Sequence, residues 1–124
     1  MPILRIESSA HVAVDGRAAV LAAIVATAVE HLEVAPRQVR AMFIDVSSGA
    51  WTTGDDGDAP WVVAWCSMLA GRTQERKTAF VTALCDVLAR ELHVDGGAIR
   101  VLIDEYARDH WFMGAAAIAA VGRS

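Results

Sequence analysis

The residues best suited to chemistry in this sequence stand at its beginning and at repeated spacings behind it. Pro2 follows Met1. An initiator methionine before so small a residue is usually removed in cells, which here leaves a secondary amine at the chain end. Held rigidly at the head of a core strand, such an amine is a candidate general base. The structural alternative is a proline that only starts a strand. Arginines recur in pairs, Arg17 with Arg72 (each after a glycine) and Arg40 with Arg100. A planar guanidinium at a strand or helix end donates two parallel hydrogen bonds to a carboxylate. Trp51 and Trp111 lie just beyond predicted strands, in polar loops, where an indole can wall an apolar pocket as readily as fill a core.

Other chemistries lack their residues. His11, His31, His93 and His110 have no metal-ligand spacing. The acidic run Asp55–Asp58 lacks the alternating ligands and distal glutamate of a calcium loop and reads as a solvated turn. No glycine-rich phosphate loop or nucleophile elbow is present. Cys66 and Cys85 form no CxxC pattern, which argues against a zinc site or disulfide framework. No cofactor or metal is expected.

The elements that must position Pro2 and the arginines follow from periodicity. Leu4 and Ile6 point one way and Arg5 and Glu7 the other, a strand. A helix opening at Gly16-Arg17 carries Val20, Leu21, Ile24, Val25, Ala28 and Leu32 at helical spacing and stops at Pro36. Gln38–Val46 alternates as a second strand containing Arg40. The order then repeats. Trp61–Leu69 is an apolar run with the look of a strand buried on both faces. Thr73 is a plausible N-cap for a second helix with the stripe Phe80, Val81, Leu84, Leu88 and Leu92. A last strand, Ile99–Glu105, carries Arg100, and an alanine-rich tail follows Gly114.

A shift of sixty positions superposes Leu32 on Leu92, Arg40 on Arg100, Trp51 on Trp111 and Gly54 on Gly114. The repeats span about residues 2–56 and 60–116 of a single domain, 1–124. The fold class expected is α+β: two tandem β-α-β units making one four-stranded sheet with both helices on one face. The apolar fraction of 55% is high for a single domain, so the uncovered sheet face should pack against other copies in a closed homo-oligomer. No apolar run reaches membrane-span length and no signal peptide precedes the first strand, so a reduced cytoplasmic setting and no membrane are expected. A net charge of −4 without a basic cluster argues against nucleic acid as a partner.

Gly71-Arg72-Thr73-Gln74-Glu75-Arg76-Lys77, Ile99–Tyr106 and His110-Trp111-Phe112-Met113-Gly114, with Met1-Pro2-Ile3, resemble 4-oxalocrotonate tautomerase and, through it, the tautomerase superfamily. The resemblance covers the whole chain in topology and is specific in motif for Pro2 and residues 71–114. It implies a fused two-unit chain that forms trimers, as in macrophage migration inhibitory factor and malonate semialdehyde decarboxylase. Carried over by position, Pro2 is the catalytic amine and Arg72 binds the substrate carboxylate. Arg100 holds the carbonyl oxygen, and Trp111 keeps the pocket apolar. Arg40 and Trp51 are the first-repeat equivalents.

The activity implied is keto–enol tautomerisation of a small anionic 2-oxo acid. Two further readings stay open. One is a decarboxylase or haloacrylate dehalogenase (hydratase) working with a protonated Pro2. The sequence has no match for the dehalogenases' water-activating carboxylate, and the decarboxylase's aspartate after the first helix is replaced by Arg37-Gln38. The other is a non-catalytic trimeric binding module.

Overall fold

The alternation of Leu4 and Ile6 with Arg5 and Glu7 produces β1 (Ile3–Ser8), an inner strand of a four-stranded sheet in the computed structural model, which describes residues 1–118. A helix α1 (Val14–Leu32) returns the chain to β2 (Arg40–Asp45), parallel to β1, as a crossover requires. The second unit repeats this with β3 (Val62–Leu69), α2 (Gln74–Leu92) and β4 (Ile99–Tyr106), again parallel. The units meet where β1 and β3 pair antiparallel, giving the order β2-β1-β3-β4. This is the predicted fold.

One core lies between the sheet and the two helices, and it is built twice. Val20, Ile24, Ala28 and Leu32 of α1 are buried, as are Phe80, Leu84, Leu88 and Leu92 of α2, sixty positions on. Leu4 and Ile6 of β1 and Val62, Ala64, Cys66 and Met68 of β3 close it from the sheet side. Both helices end on a left-handed residue, Glu33 and His93. Thr73 is the N-cap of α2 as predicted, its hydroxyl accepting from the Arg76 N–H at 3.2 Å. No helix among the described residues is long and apolar enough to cross a membrane.

Three details differ from the sequence reading. First, α1 begins at Val14, before Gly16, so both helices keep the sixty-residue offset. Gly16 sits inside the first turn, its N–H donating to the Ala13 carbonyl at 2.9 Å, whereas Gly71 has φ +125° in the connection before α2. The two Gly-Arg pairs are therefore not equivalent, and the counterpart of Arg17 is Lys77. Arg17 contacts Asp45 at 2.6 Å and Lys77 contacts Glu105 at 2.9 Å, the same ion pair in each repeat.

Second, β3 alternates between buried and half-buried positions, because in one chain only one sheet face is covered by helices. Trp65 lies on the open face, donating from Nε1 to Glu7 Oε1 at 2.7 Å beneath the Arg5 guanidinium. Third, the tail begins with a short hairpin, β5 (Phe112–Met113) with β6 (Ala116–Ala117), which alanine's weak strand preference conceals. The rest of the tail lies outside the described residues.

Candidate active site

The repeat creates two equivalent ends of the sheet. Because β1 and β3 run antiparallel, the start of each unit lies beside the end of the other. The first end holds Met1, Pro2, the start of β2 and the ends of β3 and β4. The second holds Trp61 and the starts of β3 and β4 with the ends of β1 and β2.

Pro2 is fully buried, and its carbonyl accepts the Arg40 N–H at 3.1 Å, fixing the chain end against β2. It lines an open cleft of about 1330 Å³ with Met1, Arg40, Trp111 and the α1 residues Leu21 and Val25. Arg37 and Glu30 supply charge at the cleft's margin. Trp111 is braced edge-to-face by Tyr106, with ring centroids 5.8 Å apart. Pro2, Arg40 and Trp111 thus share one cleft within a single chain.

Arg72 stands behind the amino end rather than in the cleft wall. Its guanidinium donates to the Leu69 carbonyl and to the Leu32 carbonyl, each at 3.3 Å. The last carbonyls of a helix lack partners within it, so the C-terminus of α1 holds this arginine in place. Two of its five N–H donors are engaged, and the others remain for a ligand. Burial, and then the charges of Arg72 and Arg108, hold the α-amino group of Met1 below the ordinary amine range. Loss of hydration and neighbouring cations both disfavour an ammonium.

Arg100 and Trp51 lie at the second end. Arg100 is level with Val63, and Val63 with Glu7, two strands across and five residues along from Pro2. Strand spacing and rise put that at roughly 20 Å. Arg100 is exposed and donates to the Gly97 carbonyl at 2.8 Å. Trp51 packs edge-to-face on Trp61, centroids 5.5 Å apart, and Trp61 occupies the repeat position of Met1. A half-buried indole therefore stands where the first end has an amino group. Arg17, engaged with Asp45, also belongs to this second end.

The residue that motif reading passed over is Arg108, at the first end. Its signal was in the sequence. The sixty-residue shift that superposes Arg40 on Arg100 sets Arg72 against Val12 and Arg108 against Ser48. These are guanidinium groups without a duplicate.

Residues 66–120 match the sequence model of a family described as Tautomerase enzyme. Across the whole chain the fold is that of Pt0534, solved after inactivation by 2-oxo-3-pentynoate. The TM-score is 0.91 with 18% identity over 98% of this chain and 99% of that one. A fused 4-OT solved as a symmetric trimer gives 0.89 with 21% identity, over 98% and 99%. A macrophage migration inhibitory factor-like protein from Entamoeba histolytica gives 0.79 with 13% identity, over 94% and 97%. No curated protein matches the sequence.

Proposed function

We propose that this chain, which matches the Tautomerase enzyme family model over residues 66–120 and shares its fold with Pt0534, is a keto–enol tautomerase of small anionic 2-oxo acids with the Pro2 amine as general base. The observation that carries the reading is the place of Pro2. It is buried at the floor of an apolar-walled cleft, at the one end of a duplicated sheet where an amino group meets unduplicated arginines.

Removal of Met1 gives Pro2 the terminal amine, one residue deeper than the amino group of Met1. Burial and the two guanidinium charges act on it in the same direction, favouring the neutral base. Neutral Pro2 takes the proton from the enol oxygen of the substrate. The O–H electron pair becomes the carbonyl bond, and the C=C pair accepts the proton from the prolinium at carbon. No atom is lost or added. Arg72 holds the carboxylate, and Trp111 keeps water from the reacting carbon. A guanidinium on the developing oxyanion supplies a few kcal/mol, typically about 3.

Arg40 offers that guanidinium from the same chain. Arg100, roughly 20 Å from its own Pro2, reaches such a site only from a neighbouring subunit. That arrangement requires the homotrimer in which the fused relative was solved. Ile44, Leu102 and Tyr106 are exposed large apolar side chains on the open sheet face, as at an inter-subunit face. A lowered amine pKa favours the tautomerase over a decarboxylase or hydratase using protonated Pro2.

The test takes its reagent from Pt0534, which 2-oxo-3-pentynoate inactivates. The chain, confirmed by intact mass to lack Met1, is assayed on phenylenolpyruvate and 2-hydroxymuconate before and after that reagent. An adduct mapped to Pro2 with parallel loss of turnover is expected. Labelling confined to lysine or cysteine, with turnover intact, rejects Pro2 as the base, and a retained Met1 leaves it an inert amide.

A further inference from the structure

We propose that Arg108 is a second carboxylate-binding residue of this site, acting with Arg72 beside the amine. The inference rests on the reading above for the amine, and it adds a residue that neither the family motif nor the duplication assigns.

The repeat separates structural residues from those particular to one end. The Arg17–Asp45 and Lys77–Glu105 pairs, the paired core positions and the left-handed helix ends are duplicated, as expected of features that hold the fold. Others are not, among them three at the end that carries the amine. The second end has Trp61 in place of Met1, Val12 in place of Arg72 and Ser48 in place of Arg108. Arg72 and Arg108, neither with a guanidinium counterpart in the other unit, therefore accompany the amine, as does Arg37, whose counterpart is Gly97.

Local structure sets Arg108 on the turn that leads into the cleft. It opens a 3-10 turn, Arg108–His110, closed by the His110 N–H on the Ala107 carbonyl at 3.0 Å and the Trp111 N–H on the Arg108 carbonyl at 3.4 Å. Arg108 stands three residues before Trp111, which lines the cleft with Met1 and Pro2. Arg108 is half-buried, yet among the described residues it has no side-chain hydrogen bond or ion pair. Arg17, Arg76 and Lys77 are each paired with a carboxylate. A guanidinium partly withdrawn from water without an acceptor is suited to an anionic ligand.

Met1 lines the cleft, and its amino group lies within Coulombic reach of both Arg72 and Arg108. Its removal leaves the prolyl amine beside the same two cations, where a substrate carboxylate would be held. The other charged groups around that amine are Arg40 from β2, Arg37 from the turn after α1, and Glu30 from α1. Glu105 of β4 is neutralised by Lys77.

The experiment compares wild type, Arg108→Ala and Arg108→Lys in the full chain lacking Met1. Turnover of 2-hydroxymuconate is followed against pH, and binding of maleate, a dicarboxylate unable to tautomerise, by calorimetry. Arg108→Ala should raise KM and the maleate Kd about tenfold or more, the loss of a charge-assisted contact, with a smaller change in kcat. It should also move the acid limb of kcat/KM to higher pH, because one cation fewer lets the amine protonate more readily. Arg108→Lys should restore the acid limb and part of the affinity. Unchanged KM, Kd and acid limb in Arg108→Ala, while Pro2→Ala abolishes turnover, overturns the assignment of Arg108 alone. Maleate binding that depends on Arg108 without any Pro2-dependent turnover supports the anion site and overturns the enzyme. A wild type that neither binds maleate nor turns over overturns both.

Discussion

Replacing Arg100 tests whether the active site is completed across a subunit boundary. Within one chain Arg100 pairs in register with Val63, and Val63 with Glu7, so it lies at the far end of the sheet from Pro2. At about 3.3 Å per residue and 4.8 Å per strand the separation is roughly 20 Å, several times the reach of a hydrogen bond. Arg100→Ala should lower kcat by about a hundredfold, the usual loss of one oxyanion donor. Its effect on stability should be slight, because the side chain is exposed and donates only to nearby carbonyls. Mixing is more telling. Pro2→Ala and Arg100→Ala chains, each nearly inactive, are unfolded together, refolded as a 1:1 mixture and assayed. In randomly assembled trimers a site draws its proline from one chain and its arginine from the next, so about a quarter of sites combine both intact residues. Recovery of roughly a quarter of wild-type turnover is therefore expected. No recovery with Arg100→Ala would refute the shared site.

Further outcomes follow from the same geometry. Arg72→Ala removes a cation from beside the amine and should move the acid limb of kcat/KM to higher pH, since the neutral base is then lost sooner as pH falls; a limb moving to lower pH would contradict this. Arg17→Ala should cost about 1 kcal/mol or less in chemical denaturation, as a partly exposed ion pair does, and leave KM unchanged. A large loss of kcat/KM at unaltered stability would instead make Arg17 a site residue. Burial, then Asp104 and Cys85, pushes the Cys66 thiol up to about 12. At pH 8 it should resist a disulfide reagent in the native protein and react once the chain unfolds, and prompt native labelling of Cys66 would show that β3 is open to solvent.

The fold was legible because its signals are local and stated twice. The alternation around Leu4 and Ile6 and the stripes from Val20 to Leu32 and from Phe80 to Leu92 are sufficient to set four strands and two helices on one core. The start of α1 was misjudged because a Gly-Arg dipeptide looks alike in a helix and in a loop. Only the backbone separates Gly71 at φ +125° from Gly16 within a first turn. Site membership was less legible. Arg40 and Arg100 look equivalent in sequence, but antiparallel pairing of the units sends them to opposite ends of the sheet, and no local pattern records that. Arg108 was hidden for a different reason: the eye is drawn to what a duplication repeats, while the amine's surroundings are defined by what it does not.

The central claim is that the Pro2 nitrogen is the base. Its most direct measurement is kcat on 2-hydroxymuconate for Pro2→Ala against wild type, both confirmed by intact mass to lack Met1 and matched in oligomeric state. The Pro2→Ala chain keeps a primary amine but loses the rigid secondary one. Its kcat should fall by about a hundredfold or more, the usual contribution of a positioned general base. Turnover equal to wild type would contradict the account.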